Sequence, residues 1–109
     1  MKSLKDILEP VKAALLTVTE DVYHYEALKA EDRYIVWAED GDNPMYADDT
    51  MEHQAIQGTI DYFTSMEYDP NVDAIQKALK EARIAFYLNS QLYDDETKKM
   101  NYQWIFEVA

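Results

Sequence analysis

Hydrophobic positions along this chain follow two rhythms. Leu4, Ile7, Leu8, Val11, Leu15 and Val18 recur at steps of three and four, the spacing of one helix face, so a helix is predicted from Ser3 to about Val18. Two starts are open: Ser3 with Asp6, or Asp6 with Glu9, each a capping arrangement. Pro10 favours the later start, where its missing N–H has no helical partner to lose, or else a kink. A second helix is announced by Asp69-Pro70, a capping Asp with Pro at the first helical position. Val72, Ile75, Leu79 and Ala82 form its apolar stripe, Lys77, Lys80 and Glu81 lie off it, and it ends near Arg83.

The remaining apolar residues alternate, as strands do. Arg33-Tyr34-Ile35-Val36-Trp37-Ala38 is aromatic and β-branched and reads as a strand. Before it, Val22, Tyr23 and Tyr25 interleave with acids and His24, which fits a short strand or an extended arm. From Glu52 to Thr64, Gln54, Ile56, Gly58, Ile60 and Tyr62 share one face, and His53, Ala55, Gln57, Thr59, Asp61 and Phe63 the other. A helix competes over the first half, but Thr59-Ile60-Asp61-Tyr62-Phe63-Thr64 favours a strand. Fully extended, that segment spans roughly 43 Å at about 3.3 Å per residue, more than one core needs. Its ends are therefore expected to pair outside the core, which makes His53, Ala55, Gln57, Gly58 and Thr59 a candidate inter-subunit strand. Gly58 within it marks a bulge, a bend or a close backbone approach. Ile84 to Tyr93 and Tyr102 to Val108 also alternate and form a hairpin across the charged turn Asp94–Asn101.

The predicted order is α-β-β-α-β-β, with an optional short strand before Arg33. That is an α+β fold: a mostly antiparallel sheet with two helices packed on one face, in a single domain spanning 1–109. No internal repeat or low-complexity segment interrupts it.

Glu39 to Met51 reads as a loop of about thirteen residues, long for a connection inside a compact domain; such loops tend to be functional. It is also acidic. The chain has a formal net charge of −12, from 22 acids against 10 bases, and eleven of those acids with only two bases lie between Glu20 and Glu52. This balance argues against binding nucleic acid or an anionic membrane, because both need cations from the protein. Glu39, Asp40, Asp42, Asp48, Asp49 and Glu52 form the candidate acidic surface; solubility alone is the plainer reading of the same charge.

Catalytic and metal chemistry find little foothold. Without Cys there is no disulfide, thiolate nucleophile or Cys-based zinc site. His24 and His53 have no partner at metal-ligand spacing, and each reads as an exposed or hydrogen-bonded structural residue. Asp40-Gly41-Asp42-Asn43 has the composition of a calcium loop, but its Gly follows the first Asp directly, which breaks the EF-hand pattern. Gly41 and Gly58 cannot build a phosphate loop, and Ser3, Ser65 and Ser90 lack the context of a nucleophile. Asp48-Asp49 and Asp94-Asp95 fall in predicted exposed loops, where pKa shifts should be small. We read the chain as a non-enzyme with no cofactor. The N-terminus is charged and no apolar run approaches a signal-peptide core or a membrane span, so synthesis in the cytoplasm is expected.

Tyr34-Ile35-Val36-Trp37-Ala38-Glu39-Asp40-Gly41, Gln57-Gly58-Thr59-Ile60-Asp61-Tyr62-Phe63-Thr64, Tyr68-Asp69-Pro70-Asn71-Val72, Leu88-Asn89-Ser90 and Tyr102-Gln103-Trp104-Ile105-Phe106-Glu107-Val108 together resemble the tail completion, or tail terminator, proteins of long-tailed bacteriophages and prophages. The likeness covers most of the chain and lies in texture and element order; it includes no catalytic motif. It implies a ring, usually of six subunits, that caps the tail tube and offers a surface to the head connector. The implied partners are sister copies, the tail tube protein and the head connector protein. The implied setting is the host cytoplasm during assembly and then the virion tail. A ring that passes DNA gains from acids near its lumen, since repulsion acts only within a Debye length of about 8 Å. The alternatives are a head–tail connector or neck protein, and an acidic protein-binding module that mimics DNA.

Overall fold

The computed structural model describes residues 3–29, 31–40 and 55–109. Ser3 sets the first helix: its Oγ accepts a hydrogen bond from the Asp6 N–H at 3.1 Å, and α1 (Leu4–Leu16) follows. The earlier of the two predicted starts is thus the observed one. Pro10 lies inside the helix, which forgoes the bond from position 10 back to the Asp6 carbonyl. Ile7, Leu8, Val11, Ala14 and Leu15 are buried, and Thr17 caps the end.

Among the described residues, five strands form one sheet. They are β1 (Val22–His24), β2 (Arg33–Glu39), β3 (Ile56–Thr64), β4 (Ala85–Asp94) and β5 (Lys99–Val108), in spatial order β1-β2-β3-β5-β4. β1 runs parallel to β2 and every other pairing is antiparallel. The observed order is therefore α-β-β-β-α-β-β, with the optional short strand present. α2 (Pro70–Glu81) connects β3 to β4, capped by Asp69 with Pro70 at its first turn.

α2 ends in a Schellman turn. The Arg83 N–H donates to the Lys80 carbonyl and the Ile84 N–H to the Leu79 carbonyl, both at 3.0 Å, and Arg83 takes φ 61°. That left-handed position usually holds Gly. Both helices pack on the same sheet face over Ile35, Trp37, Ile60, Tyr62, Trp104 and Phe106. The two tryptophans belong to this core, and Trp104 Nε1 donates to Gln76 Oε1 at 3.0 Å, which satisfies its buried indole.

β3 corrects one expectation. It has nine residues rather than thirteen, its burial alternates strictly, and it is the central strand, bonded to β2 on one side and β5 on the other. Gln57, Gly58 and Thr59 face Glu107, Phe106 and Ile105 on β5, and Gly58 and Thr59 face Glu39 and Ala38 on β2. Their backbone groups are already paired within the subunit, so a neighbour cannot add a strand there. Ala55 precedes β3, and His53 lies outside the described residues. Gly58 serves a close approach: a Cβ there would sit 2.6 Å from Phe106 Cζ and against the Ala38 carbonyl.

Candidate functional site

Of the predicted acidic surface, Glu39 and Asp40 are described; Asp42, Asp48, Asp49 and Glu52 lie outside the described residues. Glu39 closes β2 instead of opening a loop. Its carboxylate turns inward, where Oε1 lies 2.6 Å from His24 Nε2 and its side chain is only 13% exposed. Burial pushes the Glu39 carboxyl up, but hydrogen bonds from His24 and Tyr25 outweigh it and hold the group below its ordinary value. Glu39 is thereby committed to a local cluster, not presented as a free surface acid. The His24 ring completes that cluster, stacked on Trp37 at 4.1 Å and on Tyr25 at 4.2 Å. His24 is thus hydrogen-bonded, as its sequence context suggested. Asp40 remains in register with the sheet, its N–H donating to the Gln57 carbonyl at 2.7 Å.

The most concentrated polar chemistry surrounds Asp69, which sequence reasoning identified only as a helix cap. Oδ1 accepts from Arg33 Nη2 (2.7 Å) and the Asn71 N–H (2.8 Å); Oδ2 accepts from Tyr62 Oη (2.6 Å), Thr64 Oγ1 (2.7 Å) and Arg33 Nε (3.0 Å). Burial pushes this carboxyl up, yet the donors from Arg33, Tyr62, Asn71 and Thr64 hold it well below the usual carboxylate range. A carboxylate so fully occupied has no lone pair left for a substrate proton, so its role is to lock α2 onto the sheet. The alternation of Tyr62 and Thr64 on one strand face was the available signal; what sequence could not supply was the arrival of Arg33 from β2.

The sheet face away from the helices carries Tyr34 stacked on Phe63 at 4.8 Å, with Lys99 Nζ 5.1 Å from the Tyr34 ring centroid. At its centre, Asp61 accepts from Asn101 and Gln103 at 3.2 and 3.1 Å. Burial raises the Asp61 pKa, and those two amides offset part of the rise. Among the described residues, no three His, Asp or Glu side chains converge as metal ligands, and no helix is long and apolar enough to cross a membrane.

The two sheet margins differ. β4 bears Tyr87, Leu88, Leu92 and Tyr93 at 57, 43, 63 and 56% exposure. Partners in a ladder point to the same side. Leu88 opposite Trp104 and Tyr93 opposite Met100 thus lie on the helix side, and Tyr87 and Leu92 on the open side, with a register shift between Leu88 and Ser90. Beside β1, an open groove of about 680 Å³ runs between that strand and α1, lined by Leu16, Val22, Trp37 and Leu28 among others. Among the described strands, β1 and β4 are the two at the edges of the sheet.

No protein-family profile and no curated protein matches the chain. Among solved structures, it is similar to a chain of the "Virion of native gene transfer agent (GTA) particle", with a TM-score of 0.56 and 12% identity, covering 97% of this chain and 92% of that one. At this identity the likeness establishes a shared α+β fold, aligned almost end to end.

Proposed function

We propose that this chain is a structural subunit of a phage-like virion, specifically a tail terminator that forms a ring, caps the tail tube and presents the surface to which the head is joined. The observation that carries this reading is the near end-to-end fold likeness to a virion chain. The sequence resemblance to tail completion proteins agrees with it. The clusters around Asp69 and Asp61 agree too, because their carboxylates are spent on holding elements together. Sister copies, the tail tube protein and the head connector protein are the partners, with six copies in the ring. Assembly takes place in the host cytoplasm, and the product resides in the virion tail.

Electron micrographs of tails made without this protein test the role. Tails of runaway length are expected. Tails of normal length that never join heads would replace the terminator role with a connector role, and normal particles would end both.

The acidic segment has its own expected part. By its charge alone, the stretch with Asp40, Asp42, Asp48 and Asp49 would keep DNA from adhering as it passes, if it lines the lumen or the tube as the ring reading expects. Replacing all four by Asn should leave the circular dichroism spectrum unchanged and reduce genome delivery or head joining. Full infectivity of that variant would remove the idea.

A further inference from the structure

We propose that β4 is completed by a second copy of this chain, in a head-to-tail contact whose other half is the free margin of β1 and the groove beside it. The proposal rests on the ring reading and names the surfaces that would close the ring.

Three observations lead to it. First, β4 is unguarded. Edge strands are normally protected by Lys, Pro, inward charges or brevity. Ala85 to Tyr93 contains no charged residue and no Pro, although 29% of the chain is charged. The charged Asp94 at its very end and the register shift between Leu88 and Ser90 are the protective devices in the strand. β1 is the opposite case: three residues long, flanked by Glu20, Asp21 and Glu26.

Second, the margins complement each other in shape. A sheet continued from β4 into an antiparallel β1 of a neighbour keeps its two faces, because β1 and β4 run in opposite directions within one subunit. Leu88 and Tyr93, which project on the helix side and stay exposed, would then fall on the helix side of β1. That is where the groove between β1 and α1 opens. A two-fold pairing of β4 with β4 would instead set projection against projection and leave both grooves empty.

Third, the charges permit it. The groove and its continuation along α1 carry Lys5 and Lys12 beside Glu9, Glu26 and the His24-bound Glu39, so the uncharged stretch Ala85–Tyr93 enters a margin that bears both signs. Two copies at −12 each could hardly meet through their acidic surfaces. A head-to-tail contact also generates a ring when its rotation closes.

The absence of Cys allows a clean test. Leu92→Cys on the open side of β4 and Tyr23→Cys on β1 would be placed in one chain and treated with a short bismaleimide at high protein concentration. Each single variant would be treated alongside, and sedimentation would report the mass of the untreated chain. The double variant should give a ladder of dimers, trimers and higher species on a denaturing gel, while each single variant stays monomeric. A second measurement removes dependence on the linker: Tyr87→Lys with Leu92→Lys should abolish association while leaving the circular dichroism spectrum unchanged. Strong dimers from Leu92→Cys alone would overturn the contact in favour of a two-fold one. Oligomers without a ladder would overturn the contact and leave the ring standing. A monomer at every concentration, with no ladder, would overturn the contact, and the tails made without this protein would then decide the ring reading.

Discussion

Arg33 and Asp69 meet side by side: Nη2 lies 2.7 Å from Oδ1 and Nε 3.0 Å from Oδ2, so a residue at the start of β2 grips the residue that caps α2. The Asp69 side chain is wholly buried while that of Arg33 is 34% exposed. The pair is a bidentate charge-assisted contact reinforced by Tyr62, Thr64 and the Asn71 N–H. It joins three elements, and breaking it leaves several buried donors facing nothing.

Asp69→Asn should therefore cost about 3 kcal/mol at pH 7, lowering Tm by more than about 10 °C. The effect should depend on pH with a definite sign. A depressed carboxyl contributes stability that is fully present above the unfolded value near 4, and it is lost as pH falls from there toward the folded value. Urea titrations of both proteins should show a gap that is wide at pH 7 and narrows steadily below pH 4. A gap of constant width would mean that the charge of Asp69 does not matter.

Gly58→Ala should destabilise by about 1–3 kcal/mol, because the new methyl meets Phe106 and the Ala38 carbonyl. Phe106→Leu should relieve the share of that cost that comes from the ring and leave the share from the nearer Ala38 carbonyl, so the two substitutions should combine sub-additively in a denaturation cycle. Strict additivity would place the strain elsewhere.

At the end of α2, Arg83→Gly should stabilise. A non-glycine residue in the left-handed region costs about 1–2 kcal/mol, and glycine gives back roughly half of that through its greater freedom when unfolded. The expected gain is about 0.5–1 kcal/mol, seen as a rise of a few degrees in Tm. A fall in Tm would show that the Arg83 side chain contributes more than its backbone strain removes.

The elements most visible in the sequence were those whose signal is local. Asp69-Pro70 predicted the start of α2, and the alternation around Trp37 and Trp104 predicted two strands of the core. Pro10 misled about α1 because a favourable cap at Ser3 outweighs one lost helical bond. The larger error concerned β3. Alternation reports which side chains are buried, but it says nothing about which strands lie on either side. Reading β3 as an inter-subunit strand required knowing its neighbours, and those are set by β5, far away in sequence. The Asp69 cluster was hidden for the same reason: Arg33 reaches it only once β2 lies beside β3.

The position of β5 between β3 and β4 has a consequence for how the molecule is made. Ile56 pairs with Val108 and Thr64 with Met100, so the middle of the sheet joins segments separated by a helix and a whole further strand. Such distant pairings are slow to find, because the connecting chain must surrender its freedom before any contact rewards it. A nascent chain that has not yet released Lys99–Val108 would hold β3 with one flank bare and β4 with no partner at all. Chaperone demand and premature clumping should be greatest in that interval, and they should subside once the C-terminal strand slots in.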